Sequence, residues 1–252
     1  MRDFQDSTLW EISGFEHARR SGARSCYTGQ LDTSVLPSTL QGELEALQLD
    51  RTCADALEVL AALRRHGESA LVYLTYERLV WPLTVFPIEM VYYSPHDLLS
   101  TSNGGLRTLR ALSVEPPGVL PPGAWTEEPE VTANYRPLAP VLWRLALEGP
   151  RARLLDAIGG AAAYRLLHDP RDDADVSVPS ELRGTLRRLA DKPASLRDIA
   201  AWPGMGLERS ARMLNALYLV ANLMVTRASA AARPEPRFSS LRGLFAQGAR
   251  NR

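Results

Sequence analysis

SVPSELRGTLRRLADKPASLRDIAAWPGMGLERSARMLNALYLVANLMVTRA, residues 177–228, is the stretch whose reading decides the fold. It holds three successive helical apolar patterns. Leu182, Leu186 and Leu189 make the buried face of a first helix, Pro179 to Asp191, with Ser180 placed to cap it and Arg183, Arg187 and Arg188 outside. Pro193 breaks that helix, since proline lacks the amide proton a helix interior needs. Ser195 caps a short second helix, Leu196–Trp202, with Leu196, Ile199 and Ala200 inward. Pro203–Gly206 is a turn, and a third helix is expected from Leu207 to about Thr226. Helix, turn and helix in this order describe a helix-turn-helix or winged-helix unit, which binds DNA or another protein.

If the third helix reads DNA, its N-terminal half enters the major groove. Arg209, Arg212 and Asn215 are then the base-edge candidates, because Arg reads guanine and Asn reads adenine. The same helix is apolar nearly all round from Leu217 to Val225, which predicts burial against the rest of the chain, a second subunit or a partner. Oligomerisation through this helix follows as an expectation. Glu208 at its start repels phosphate, and Ala228–Pro236 offers no clear return strand for a wing. Protein contact is therefore the first expectation and DNA binding the alternative.

AYRLLHDP (residues 163–170) followed by this stretch resembles the C-terminal winged-helix portion of PATAN-type bacterial signalling proteins. The resemblance covers roughly residues 163–227. It implies a winged-helix fold and a role as an interaction module in a regulatory system, often beside receiver domains. It assigns no functional residue.

The 252 residues suffice for one large or two modest domains. Basic and acidic residues number 29 each, so the net charge is zero. A protein living mainly on nucleic acid usually carries a basic excess. Lys192 is the only lysine, a bias that suits a GC-rich genome rather than guanidinium-specific chemistry. Cys26 and Cys53 are isolated and read as reduced thiols or, alternatively, a disulfide. The start MRDFQDSTLW has no secretory pattern, and no run reaches the roughly 20 apolar residues that span a bilayer. A cytoplasmic protein without membrane contact is the expectation.

Upstream, Thr8–Arg20 has the spacing of a helix. Gln41–His66 is helical too, with Asp50 or Thr52 as the cap of its second part and Gly67 as its stop. SALVYLTY (69–76) and LVWPLTVF (79–86) read as strands around a tight turn at Glu77–Arg78, with Pro82 marking an edge or a bulge. Met90–Tyr93 reads as a third strand and His96–Leu99 as a short helix. The fold class expected is α+β: an N-terminal helix plus a small antiparallel sheet over residues 1–114, and a winged-helix-like helical domain over 141–228. The proline-rich residues 115–140 read as a linker, or as a crossing loop within one domain. Leu138–Leu147 and Arg151–Ile158 read as helices and Ala163–His168 as a strand. Residues 229–252 form a basic tail in which Phe238, Leu241, Leu244 and Phe245 share one helical face, suited to docking on a partner.

Local catalytic signatures are missing. There is no HExxH, no GxxxxGK[ST] and no GxSxG, and Gly204–Met205–Gly206 is too short for a dinucleotide fingerprint. The acidic run Asp169, Asp172, Asp173 and Asp175 lacks the glycine and closing glutamate of a calcium loop and reads as a solvated loop. Tyr73, Tyr76, Trp81, Phe86, Tyr92 and Tyr93 read as core and cross-strand pairs rather than a ligand pocket. The expectation is a regulatory or adaptor protein with no catalytic activity, cofactor or metal, whose partner is another protein.

Overall fold

A computed structural model describes residues 10–20, 35–48, 54–94, 97–101, 105–122, 134–170 and 176–227. The architecture is mixed α+β, with helices packed on antiparallel sheet.

The larger sheet is built around the hairpin of β2 (Ala70–Tyr76) and β3 (Leu79–Phe86). Both strands are near-continuous apolar runs because both faces are covered. On one face Val72, Leu74, Trp81, Leu83 and Val85 join the main core under α2 (Ser38–Gln48), α3 (Ala56–His66) and α5 (Ala139–Glu148). On the other, Leu71, Tyr73 and Val80 meet Phe15 of α1 (Ile12–Arg20), with the Phe15 and Tyr73 rings 4.7 Å apart. The strand order is β5 (Arg110–Glu115), β2, β3, β4 (Val91–Tyr93), β6 (Tyr135–Pro137). The short β1 (Trp10–Glu11) also pairs with β3, so the N-terminal helix starts at Ile12 rather than Thr8. Between β4 and β5 lies α4 (Leu98–Thr101), two residues later than the spacing predicts, with the Asp97 carboxylate accepting from Leu99 N–H at 3.0 Å.

Pro82 does not make β3 an edge. β3 is central, and Pro82 pairs across from Tyr73. Its imino side faces the interval between β1, which pairs at Leu79–Val80, and β4, which pairs from Thr84 onward. In that interval Ser94 Oγ donates to Pro82 O at 3.1 Å while accepting from Trp81 Nε1 at 2.9 Å. No ladder amide is missed there, which is why proline is tolerated.

The pattern over Gln41–His66 resolves into α2 and α3. Asp55, not Asp50 or Thr52, caps α3, its side chain accepting from Leu57 N–H. Gly67 ends it at φ 67°, donating to Leu63 O as expected of an αL stop. Within the stretch read as a linker, Glu115 still belongs to β5 and Tyr135–Pro137 extend the sheet as β6. Residues 123–133 between them lie outside the described residues.

A second, three-stranded sheet has the order β8 (Ala194–Ser195), β7 (Ala163–Leu166), β9 (Leu223–Thr226). Around it lie α6 (Arg183–Asp191), α7 (Leu196–Ala200) and α8 (Leu207–Leu219). Ser195 and Asp198 form a reciprocal capping box on α7, as the sequence predicts for Ser195. Ser180 does not cap α6; a 3₁₀ turn, Ser180–Leu182, leads into it. The third helix stops at Leu219, not Thr226. Ala221 turns at φ 61°, Asn222 N–H closes on Leu217 O at 2.8 Å, and the apolar run beyond becomes β9. The run is apolar because it fills a sheet, not because a helix is buried all round. The middle place in this sheet goes to β7, which precedes α6 in the chain. One apolar cluster runs from Leu40 in α2 to Leu223 in β9.

Candidate functional site

Arg151–Ile158, expected as a helix, is an irregular segment with a single 3₁₀ turn at Asp156–Ile158. Its shape is set by side chains from two sides. Arg151, whose side chain is only 2% exposed, is the first clamp. Its Nη1 donates to Asp55 Oδ2 at 2.8 Å, and its Nη2 reaches Glu58 Oε1 at 2.5 Å and Asp156 Oδ1 at 3.0 Å. Its Nε donates to Arg153 O at 3.1 Å and to Leu154 O at 3.2 Å. The guanidinium fork thus turns the segment back on itself instead of letting these carbonyls enter a helix, and it ties the segment to the first turn of α3.

Glu58 is buried and accepts from Asp156 N–H at 2.9 Å as well as from Arg151. Burial pushes its carboxyl above the ordinary carboxylate value, against the opposing pull of the Asp156 amide and the Arg151 charge.

The second clamp comes from α8. Asn215 is fully buried; its Nδ2 donates to Arg153 O and its Oδ1 accepts from Leu155 N–H, both at 2.9 Å. Arg212 Nη1 donates to Leu147 O at 3.1 Å and Gly149 O at 2.7 Å, satisfying carbonyls at the C-terminal end of α5. Its Nε pairs with Glu208 at 2.9 Å.

Beside the first clamp opens a cleft of about 580 Å³, lined by charged groups that include Asp55, Glu58, Arg110, Arg151, Arg153 and Asp156. Carboxylates and guanidinium groups balance there. At the centre of the cleft Arg151 spends its donors on the carboxylates of Asp55, Glu58 and Asp156 and on the carbonyls of Arg153 and Leu154. Among the described residues no group of three or more His, Cys, Asp or Glu is arranged to hold a metal ion.

Two of the three base-edge candidates are therefore placed elsewhere. Asn215 has no exposed surface with which to reach a base, and Arg212 is docked on main-chain carbonyls with its side chain 16% exposed. Only Arg209 is exposed, and its Nη1 closes the preceding turn on Gly204 O at 2.8 Å. Phe238, Leu241, Leu244 and Phe245 lie outside the described residues, as do Cys26, Cys53, Asp172, Asp173 and Asp175. The strand aromatics pack as expected: Trp81 and Tyr92 in the main core, Tyr73 against Phe15, and Phe86 and Tyr93 against Tyr135.

The clamp residues left no joint signature in the sequence. Asp55 and Glu58 stand at the start of a helix whose cap the sequence places at Asp50 or Thr52, and their partner Arg151 stands over ninety positions away. The one local cue was Gly149–Pro150, a break just before Arg151. No helix among the described residues is long and apolar enough to cross a membrane. Comparison of the chain with protein-family models, curated proteins and solved structures finds no match.

Proposed function

We propose that this chain is a non-catalytic regulatory or adaptor protein of a bacterial signalling or transcriptional system that acts through protein–protein contact, with residues 163–227 as a winged-helix-like unit. The observation that carries this reading is the inward commitment of α8. The helix that would enter a DNA groove instead spends Asn215 and Arg212 on holding the 147–155 backbone. A reading helix must present such groups to base edges. The strand that flanks β9 is β7 from earlier in the chain, so a paired wing beyond Thr226 is not needed to complete the sheet. The outer face of that sheet shows Met224 opposite Arg165, with Leu167 close by, and Leu207 is exposed at the start of α8.

The test has two arms. Anisotropy of labelled genomic fragments across a salt series should show only weak binding that salt abolishes. A photo-crosslinking amino acid at Met224 should capture protein rather than nucleic acid in cells. Salt-resistant, sequence-selective DNA binding that Arg209→Ala removes would overturn the reading.

A further inference from the structure

Among the described residues, β9 is the one edge strand that nothing blunts. Open strand edges pair with other chains unless shortness, charge, proline or a covering segment prevents it. The outer side of β5 is met by Ala54, which exchanges main-chain hydrogen bonds with Ala111 at 2.8 and 3.0 Å. β6 carries Arg136 and ends on Pro137. β1 is two residues long and ends on Glu11. β8 is as short, and its Ser195 N–H donates to Asp198 Oδ2 at 3.0 Å. β9 is four residues, LMVT, with no charge, no proline and an unbroken register on β7. Of five large apolar side chains exposed among the described residues, Met224 and Leu167 stand on the outer face of this sheet.

The main chain of β9 is half spent. Leu167 N–H donates to Asn222 O at 2.9 Å, so the alternation of an antiparallel ladder turns the polar groups of Met224 toward β7 and those of Leu223 and Val225 outward. These outward groups meet no partner among the described residues. The chain after Arg227 reads ASAAARPEP, a composition poor in strand formers and interrupted by Pro234 and Pro236, so it does not supply the missing strand. We infer that two copies of this chain pair edge to edge through β9, antiparallel about a two-fold axis at Met224. Such an axis pairs positions of the same parity, so core-facing residues stay on the core-facing side. Leu223 then stands opposite Val225 of the second copy, the two Met224 side chains meet on the outer face, and every outward main-chain group of Leu223 and Val225 finds a partner. An axis at Leu223 would need Ala221 extended, whereas it turns at φ 61°. An axis at Val225 or Thr226 would set Arg227 opposite an apolar residue of the other copy. The blunt β8 edges then end the joined sheet, so the pair closes instead of growing.

This goes beyond the adaptor reading and concerns the chain by itself. The experiment is sedimentation velocity on the full chain from about 5 to about 300 µM. A contact this small stands at the weak end of protein interfaces, so monomer should give way to dimer within that range. The dimer should persist as salt rises from about 50 to about 500 mM, because the Arg165 side chains flanking the Met224 pair stand about 14 Å apart, three strand spacings. Val225→Pro removes an outward amide and no β7–β9 hydrogen bond, and Met224→Glu sets like charges opposite each other. Each should weaken the dimer at least about tenfold, and Met224→Glu, at an exposed position, should keep its unfolding midpoint. Disulfide trapping reads the register in a chain whose Cys26 and Cys53 are changed to serine. Met224→Cys brings the two thiols into a non-hydrogen-bonded pair, with Cα atoms about 4.5 Å apart, and should cross-link. Thr226→Cys stands about 14 Å from its copy and should not. A chain that stays monomeric to about 300 µM, a dimer indifferent to both β9 substitutions, or equal cross-linking at the two positions would overturn the pairing. Each of those results leaves the adaptor reading to its own two assays.

Discussion

Replacing Asn215 by alanine separates a packing role from a DNA-reading role. The side chain is wholly buried and joins Arg153 O and Leu155 N–H, 62 and 60 residues away in the chain. Truncation leaves the Leu155 amide buried without an acceptor, which costs about 1–3 kcal/mol. The Arg153 carbonyl keeps a bond from Arg151 Nε, so its loss adds less, about 0.5–1 kcal/mol. The small cavity left by the amide raises the total to roughly 2–4 kcal/mol. For a chain of this size that corresponds to a fall in Tm of roughly 5–12 °C. Urea unfolding followed by tryptophan fluorescence and by circular dichroism reads the loss directly, with the slope on denaturant as a control for two-state behaviour. Asn215→Asp should also destabilise, because it sets a carboxylate against the Arg153 carbonyl while keeping the acceptor for Leu155. A change below about 0.5 kcal/mol in Asn215→Ala, with the slope unaltered, would refute the burial reasoning and return Asn215 to the surface as a candidate base reader.

Three further expectations follow from the same geometry. Gly184→Ala, on the open face of α6, should raise stability by about 0.5–1 kcal/mol in denaturant melts, since alanine restricts the unfolded chain and meets nothing in the folded one. Glu58 binds its proton more readily folded than unfolded, so its contribution to stability grows as pH falls toward the ordinary value of 4.5 and shrinks as pH rises through the raised folded value. Unfolding free energies of wild type and Glu58→Gln, measured from about pH 7 down to about pH 5, should show the difference moving in favour of wild type as pH drops; a flat or reversed difference would contradict the assignment. A fragment of residues 176–227 lacks β7 and leaves β8 and β9 unpaired, so its amide NMR spectrum should be poorly dispersed, while a fragment from residue 134 onward should be better ordered.

Local signals in the chain determined local structure. Gly67 and the Ser195 cap are helix ends whose chemistry acts within a few residues, and α3, α6 and α7 sit close to where their apolar spacing puts them, although the cap of α3 falls on Asp55 rather than Asp50 or Thr52 and Ser180 caps nothing. The β2–β3 hairpin is legible for the same reason: two β-branched and aromatic runs flank a two-residue turn. What failed was every reading that depended on partners far away. Leu217–Val225 is apolar as a helix would be, yet Leu223–Thr226 leaves the helix because β7 offers it a ladder. Arg151–Ile158 has helical spacing, yet Arg151 finds Asp55 and Glu58 and turns the segment aside. Pro82 looks like an edge residue, and only the layout of β1 and β4 along β3 shows that no hydrogen bond is lost. Arg209, Arg212 and Asn215 stand together in the sequence as base-edge candidates of one helix, but α5 and the 149–155 segment cover two of them and leave one in solvent. Side-chain type and spacing specify which groups need partners. Which partners they find, and so which residues are left free at the surface to act, depends on contacts sixty to a hundred residues apart that only the folded chain brings within hydrogen-bond reach.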